Sequence, residues 1–370
     1  MGSCAVSASV LARAQRVADD FAALTGIGVD ATELITGRAA LLDLTAAGQI
    51  SAGGATRLFR AAEGWCALTL SRPDDLAMVP ALLQADTVAD DPWPAIEAWA
   101  AGLPGAGVAG RARLLGLPVA VLGETAATPP QVSVLGPSRA IPLSDVLVVD
   151  LSSMWAGPLC GRLLARAGAT VVKVESVARP DGTRAGEPTF FGWMNSGKLS
   201  YAVQFDHPDE LAALLGVADV VIEASRPAAL DRRGLGPRTV TARPGRVWLR
   251  ITGHGTHGER AGWVAFGDDA AVAGGLIGYR GGTPAFTGDA IADPLTGLHA
   301  ARAVVAALGR GGGELIEFAM AAVAAEYAGL PTDDSVIAAM PPAPVSAGPA
   351  FGADNAAVRR LVTQRAATPC

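Results

Sequence analysis

From residue 144 onward, short apolar runs alternate with amphipathic stretches, and that alternation narrows what the chain can become. VLVVDL (146–151) is a continuous apolar run of the kind a buried parallel strand shows. A turn containing Ala156-Gly157-Pro158 follows, then the amphipathic LCGRLLARAG, which ends on Gly168, a residue suited to the position after a helix. TVVKVE (170–175), DVVIEA (219–224) and RVWLRIT (246–252) read as further strands, with helices predicted over 209–216 and 227–236. LTGLHAARAVVAAL (295–308) and ELIEFAMAAVAAEYAG (314–329) read as closing helices. Strands alternating with helices build βαβ units. The predicted fold class is therefore α/β, a doubly wound, mostly parallel Rossmann-like sheet domain beside a smaller α+β domain.

The first part of the chain reads differently. It opens on a helical VLARAQRVADDFAALTG, passes a Gly-rich turn at SAGGA and a strand-like WCALTL (65–70), then shows helical patterns near 75–85 and 94–101 and an apolar LPVAVLG (117–123). Residues 124–142 are rich in Pro, Ser and Thr without sustained periodicity. The expected division is a small α+β domain over 1–125, a linker over 126–142 and a sheet domain over 143–370. A chain of 370 residues exceeds the usual single-core limit, which agrees with two domains.

Composition excludes several function classes. Half the residues are hydrophobic and 17% are charged, a balance that suits a well-buried globular protein. A net charge of −6 argues against a general nucleic-acid binder. No apolar run approaches the ~18–20 residues of a membrane span, and the first twenty residues reach Arg and Asp too soon for a secretory apolar region. Cys4, Cys66, Cys160 and Cys370 are scattered without a CxxC pair. The expectation is four reduced thiols, no metal site and a cytoplasmic protein.

Two glycine-rich matches test as decoys. FFGWMNSGKLS (190–200) has P-loop spacing from Gly192 to Gly197-Lys198, but Leu199 stands where the magnesium-binding hydroxyl belongs, and Trp193 and Met194 crowd the loop. GHGTHG (253–258) matches the dinucleotide fingerprint after a strand, yet ERAGWVAFGDD behind it lacks the period of the required helix. Lysine usage adds a constraint: of 29 basic residues only Lys173 and Lys198 are lysines. A compact ammonium at these two positions, rather than chance in an Arg-biased chain, is one reading.

Over about 142–329 the sequence resembles the family III CoA-transferases. VVDLSSMWAGPLCGRLLARAGATVVKVES is similar to the family's opening strand, turn, helix and second strand. RPDGTRAGEPTFFGWMNSGKLSYAVQF is similar to its Arg-bearing loop and N-x-x-K-x-S segment, ADVVIEASRPAALDRRGLGP to its strand and RPG-like turn, WLRITGHGTHG to its Gly-rich loop, and TGDAIADPLTGLHAARAVVAAL to its catalytic turn and helix. The resemblance implies a CoA-transferase moving CoA from an acyl-CoA donor to a small carboxylic acid, with the thioester as substrate and no tightly bound cofactor or metal.

It also implies the site residues. Asp293 would be the nucleophile, although Asp followed by Pro is also an ordinary start of a helix; a helix N-terminus would favour its ionised form. Asp289 is its nearest competitor. Ser153, Met154, Trp155, Ala156 and Ser225 would approach CoA, with Lys198, Arg226, Arg232 and Arg233 supplying cations for its phosphates. Ser153 stands where formyl-CoA transferase has His, and Ala224 where it has Asn. The loop GGLIGYRGG (274–282) is a candidate donor or lid. One alternative is an α-methylacyl-CoA racemase-like isomerase, but that branch's Gly-His-Asp here reads Gly267-Asp268-Asp269, and His207, His254, His257 and His299 lie in other motifs. The other is a CoA-binding subunit without activity, because residues 53–76 resemble the family's small-domain hairpin, which normally follows the first part of the sheet domain. The order looks permuted. A homodimer is expected, without nucleic-acid or membrane partners.

Overall fold

A computed structural model describes residues 6–206, 208–226, 228–241, 243–331, 336–337, 339–344 and 346–367. The chain begins with helix α1 (Ala8–Thr25), ended by Gly26 in the left-handed conformation at φ 74°, and helix α2 (Ala31–Leu41), capped by Asp30. Strands β1 (Thr56–Arg60), β2 (Trp65–Thr69) and β3 (Val119–Val121) form a three-stranded antiparallel sheet. Helices spanning Trp93–Ala100 and Gly105–Leu114 belong to its own apolar cluster, which includes Phe59, Leu68, Leu82, Ile96 and Val108.

Strand β4 (Gln131–Val134) comes next, followed by β5 (Leu147–Asp150), helix α3 (Ala156–Arg166), β6 (Thr170–Ser176), helix α4 (Pro188–Asn195), β7 (Leu199–Val203), helix α5 (Asp209–Val217), β8 (Val220–Glu223) and β9 (Val247–Thr252). Helices α6 (Gly267–Ala273) and α7 (Ala292–Gly309), strand β10 (Glu314–Ala319) and helices α8 (Met320–Ala328) and α9 (Asn355–Ala367) complete it. The seven-stranded sheet runs β4-β10-β9-β8-β5-β6-β7 and is parallel except for β4.

Alternation along the strands explains why both faces are covered. Val146 and Val148 join the cluster containing α1, α3 and α7, whereas Leu147 and Val149 join the one containing α5 and Val358 of α9. Strand order reverses between β5 and β8, and α/β sheets bind ligands in the crevice at the carboxyl ends of such a pair. The α/β, doubly wound expectation therefore holds. Among the described residues no helix is long and apolar enough to cross a membrane.

The structure departs from the sequence expectations at three places. Residues 131–134, read as linker, are β4 and pair antiparallel with β10. α1 packs against α7 rather than against β1–β3, so its apolar face belongs to the sheet's core. ELIEFAMAAVAAEYAG is not one helix: Glu314–Ala319 is a strand filling the slot between β9 and β4, and the helix starts only at Met320. Pairing on both sides of an apolar run overrides the helix preference of its neighbours.

Candidate active site

The turn after β5 is built before any ligand is considered. Met154 sits at φ 71°, a left-handed conformation that a side chain rarely adopts, and Trp155 follows it into the start of α3. Two buried lysines hold this turn. Lys173 Nζ donates to the Ser152 carbonyl and, at 2.9 Å, to Asp181, whose carboxylate also accepts the Met154 N–H at 3.2 Å. Lys198 Nζ donates to Asp150 at 2.9 Å, the Pro158 carbonyl at 2.8 Å and Asn195 Oδ1 at 3.0 Å. Asp150 in turn accepts the Ser152 N–H at 3.0 Å and the Ser152 hydroxyl.

These contacts correct the assignment of Lys198 to CoA phosphate. Its side chain is 0% exposed, and three acceptors take the three protons of its ammonium. The P-loop reading also falls, because Gly192 lies inside α4 and a strand, not a helix, follows Lys198. Both lysines are interior cations of the sheet's carboxyl end. Burial pushes the Asp150 carboxyl up, but Lys198 and Lys173 outweigh it and hold it below its ordinary value.

Around the switch point, Ser153 and Met154 are exposed while Trp155 and Ala156 are buried. Ser225, half-buried, donates to Glu223 at 3.2 Å, and Arg226, Arg232 and Arg233 are exposed beyond β8. Met154 and Ser225 thus follow neighbouring strands, one on each side of the crevice.

Asp293 lies at the start of α7 and is half-buried. α7 crosses α3 so closely that a methyl on Gly297 would strike the Ala156 carbonyl and Leu159. One carboxylate oxygen of Asp293 rests on Gly267, where any side chain would overlap it. The preceding turn is strained: Ala290 has φ 42°, and its N–H is held by Asp268 at 2.9 Å. Asp269 accepts from Thr69 at 2.8 Å and from the Phe266 N–H at 3.0 Å, so α6 ties the small sheet to this site.

Burial is the largest influence on the Asp293 carboxyl and raises it to about 7; Asp268 raises it further, while the Ala156 N–H and Arg38 oppose. The helix N-terminus therefore does not win, contrary to the sequence expectation. Asp268 and Asp269 also rise to about 7, mainly by burial. Asp289, the competitor, is fully buried and gives its two oxygens to Arg38 at 2.6 and 2.7 Å, so it is not free to attack. Arg38 was missed in the sequence. It stands on α2, over 240 positions from its partner, with its guanidinium 5.8 Å from the Trp155 ring and 5.3 Å from the Phe190 ring. No local pattern marks it.

The histidines do not gather here. His299 bonds Tyr327 at 2.7 Å in the core, His257 is exposed against Thr256, and His254 lines a different cleft; His207 lies outside the described residues. Among the cysteines, Cys66 and Cys160 are buried free thiols, while Cys4 and Cys370 lie outside the described residues. Segment 274–282 carries the first strand of a small hairpin, Gly278–Arg280 paired with Thr283–Ala285. Among the described residues no cluster suits a metal ion.

Residues 143–349 match the model of CoA-transferase family III, more than half of the chain. The chain belongs to CoA-transferase family III. Among relatives of this family, succinate–glutarate CoA-transferase of Agrobacterium fabrum is 33% identical over 194 residues, covering 46% of this chain and 48% of that protein. Formyl-CoA:oxalate CoA-transferase of Afipia carboxidovorans is 32% identical over 180 residues, covering 45% and 42%. The crystal structure of a hypothetical protein from Mycobacterium tuberculosis aligns with a TM-score of 0.47 at 30% identity, covering 51% and 57%. The chain spans about half the length of the curated relatives it matches. Arg38 and the β1–β3 sheet fall outside the residues that match the family.

Proposed function

We propose that the chain transfers CoA from an acyl-CoA to a carboxylic acid, with Asp293 as nucleophile. One observation carries the reading: α7, which bears Asp293 at its start, packs so closely on the start of α3 that Gly297 rests against the Ala156 carbonyl, which brings the carboxylate expected to attack beside the turn expected to meet CoA. The names of relatives such as succinate–glutarate CoA-transferase and formyl-CoA:oxalate CoA-transferase support the reaction class.

The chemistry is covalent exchange. An Asp293 oxygen attacks the thioester carbonyl, the C–S bond breaks, and a mixed aspartyl–acyl anhydride and CoA thiolate result. The thiolate attacks the aspartyl carbonyl, giving an aspartyl-CoA thioester and the donor carboxylate. The acceptor carboxylate then attacks this thioester and expels thiolate, which attacks the acceptor's acyl carbonyl and regenerates Asp293. A carboxyl raised to about 7 is a better nucleophile once ionised, and Arg38 keeps the ionised fraction from vanishing. The buried lysine pairs fix the turn that would receive the thioester. Ser153, Met154, Trp155, Ala156 and Ser225 would line the pantetheine path, and exposed Arg226, Arg232 and Arg233 would meet the phosphates. A homodimer acting in the cytoplasm completes the reading, on the family resemblance.

Incubation with acyl-CoA followed by hydroxylamine or borohydride tests it. Mass spectrometry should find the adduct on the peptide bearing Asp293, and Asp293→Ala should abolish both adduct and CoA exchange. Exchange that survives in Asp293→Ala defeats the proposal. Deuterium entering the acyl α-carbon without an acceptor acid would instead indicate isomerase chemistry.

A further inference from the structure

The turn that presents Asp293 is held by hydrogen bonds that lead back to Asp268. Asp268 Oδ1 accepts the Ala290 N–H at 2.9 Å, and the Ala290 carbonyl accepts the Asp293 N–H at 2.9 Å. Ala290 is left-handed at φ 42°, a conformation that an alanine keeps only where its surroundings fix it. Next to Asp268, Gly267 lies against both the Ala290 carbonyl and an Asp293 carboxylate oxygen. Two consecutive residues at the start of α6 thus set where Asp293 begins and where its carboxylate rests. The four acids here are not equivalent. Asp289 is buried against Arg38 and Asp269 is buried, whereas Asp268 and Asp293 are both half-buried.

Asp268 is also tied to the small sheet. Its Oδ2 lies 3.4 Å from Thr56 Oγ1 of β1, which lies 2.9 Å from Thr69 Oγ1 of β2, which in turn lies 2.8 Å from Asp269 Oδ1. Two hydroxyls bring two protons to three contacts. All three are hydrogen bonds only while one of the two carboxyls keeps its proton. The charged groups that face Asp268 are Arg38 from α2, Asp289 from the turn and Asp293 from α7, with Asp269 beside it and Arg72 toward Asp269. Burial raises the Asp293 carboxyl to about 7, and a like charge on Asp268 adds to that.

We propose that Asp268 is the positioning residue of this site: it holds the Ala290 turn that presents Asp293, and its charge governs the pH at which the Asp293 carboxylate becomes available. The inference rests on the reading of Asp293 as nucleophile and adds a second acid that acts through Asp293 rather than on the acyl group. The two tasks are separable, because an Asn amide oxygen accepts the Ala290 N–H as a carboxylate does but carries no charge.

Asp268→Asn and Asp268→Ala in the full chain test the proposal. The readouts are the pH profile of CoA exchange and an NMR titration of the aspartate carboxyl carbons, with the Asp293 resonance assigned by its loss in Asp293→Asn. In Asp268→Asn the rise of kcat and the titration of Asp293 should both move below about 7, with KM for the acyl-CoA unchanged. The share of the maximal rate kept at about pH 6 should then grow about twofold or more. In Asp268→Ala, which frees the turn, kcat should fall about tenfold to a hundredfold at every pH, the scale of a misplaced reacting group, and Asn in place of Ala should restore it. Thermal midpoints equal to the parent's exclude misfolding, and Asp268→Asn alone suffices if Asp268→Ala does not fold. A parent-like pH midpoint in Asp268→Asn, or Asn and Ala losing rate equally, overturns the proposal. Exchange that survives in Asp293→Ala would defeat the nucleophile instead, and the NMR titration would still decide whether Asp268 governs the Asp293 carboxyl.

Discussion

Two groups of buried charge flank the start of α3, and they are built on opposite plans. Behind the turn, Lys173 and Lys198 face Asp181 and Asp150, one cation to each carboxylate, and both carboxyls are held below their ordinary values. In front of it, Asp268, Asp289 and Asp293 gather near Arg38, whose guanidinium pairs with Asp289, while Asp269 lies toward Arg72; Asp268, Asp269 and Asp293 rise to about 7. The same residue type is held toward its ionised form where lysines match its charge and toward its protonated form where the carboxylates crowd one another. Charge balance, more than burial, separates scaffold from chemistry.

The contrast is most sharply tested at Asp293, the proposed nucleophile. Asp293→Asn should lower the CoA-exchange rate by about 10⁴-fold or more, the scale of removing a covalent nucleophile, and leave the thermal midpoint unchanged or higher. A midpoint that drops steeply would place Asp293 with the scaffold instead. On the matched side, Lys198→Met strands Asp150 and should cost roughly 3–5 kcal/mol of stability in denaturant melts, as breaking a buried pair does. A loss under ~1 kcal/mol would mean that the pair does not hold the turn.

Gly267→Ala puts a methyl into the Asp293 carboxylate and the Ala290 carbonyl, and should cost about 1–3 kcal/mol with a fall in kcat. Normal turnover in that variant would show that the carboxylate does not rest there when it reacts.

The pH dependences run in opposite directions. Exchange should rise as pH increases through about 7, because Asp293 attacks only when ionised. Arg38→Gln should shift that rise to higher pH, so activity lost at pH 7 returns in part near pH 8. For stability, Asp268, Asp269 and Asp293 hold protons in the fold that the unfolded chain releases near 3.8, so their contribution is full below that value and is lost as pH rises through about 7. Asp150 and Asp181, held low, contribute above that value and lose their contribution as pH falls below it. Melting curves on both sides of neutrality separate the two groups.

How much of this was legible in the sequence follows from how local each signal is. Period and punctuation marked β5, β6, β8, β9 and α7 to within a few residues, because a doubly wound sheet writes its strands as apolar runs. β4 and β10 were misread, since a four-residue edge strand in a Pro-rich segment and a strand fused to an Ala-rich helix carry weak local patterns. Asp293 could be picked out from its motif, but its unionised tendency comes first from burial in the fold and then from Asp268, 25 positions away. The role of Lys198 was misjudged for the same reason: its partner Asp150 is 48 positions upstream, and only the fold shows that the ammonium is already saturated.

The place of Arg38 on α2 has a consequence for how the molecule can be divided. The cation that pairs with Asp289 and lowers the Asp293 carboxyl comes from the first forty residues, whereas the segment carrying the family likeness starts at residue 143. α1 covers a flank of α7 that would otherwise face water. A fragment cut at the apparent family boundary would keep Asp293 and the turn after β5, yet it would expose a greasy helix flank and remove the guanidinium that pairs with Asp289. Modularity by ancestry and modularity by physics part company at that boundary.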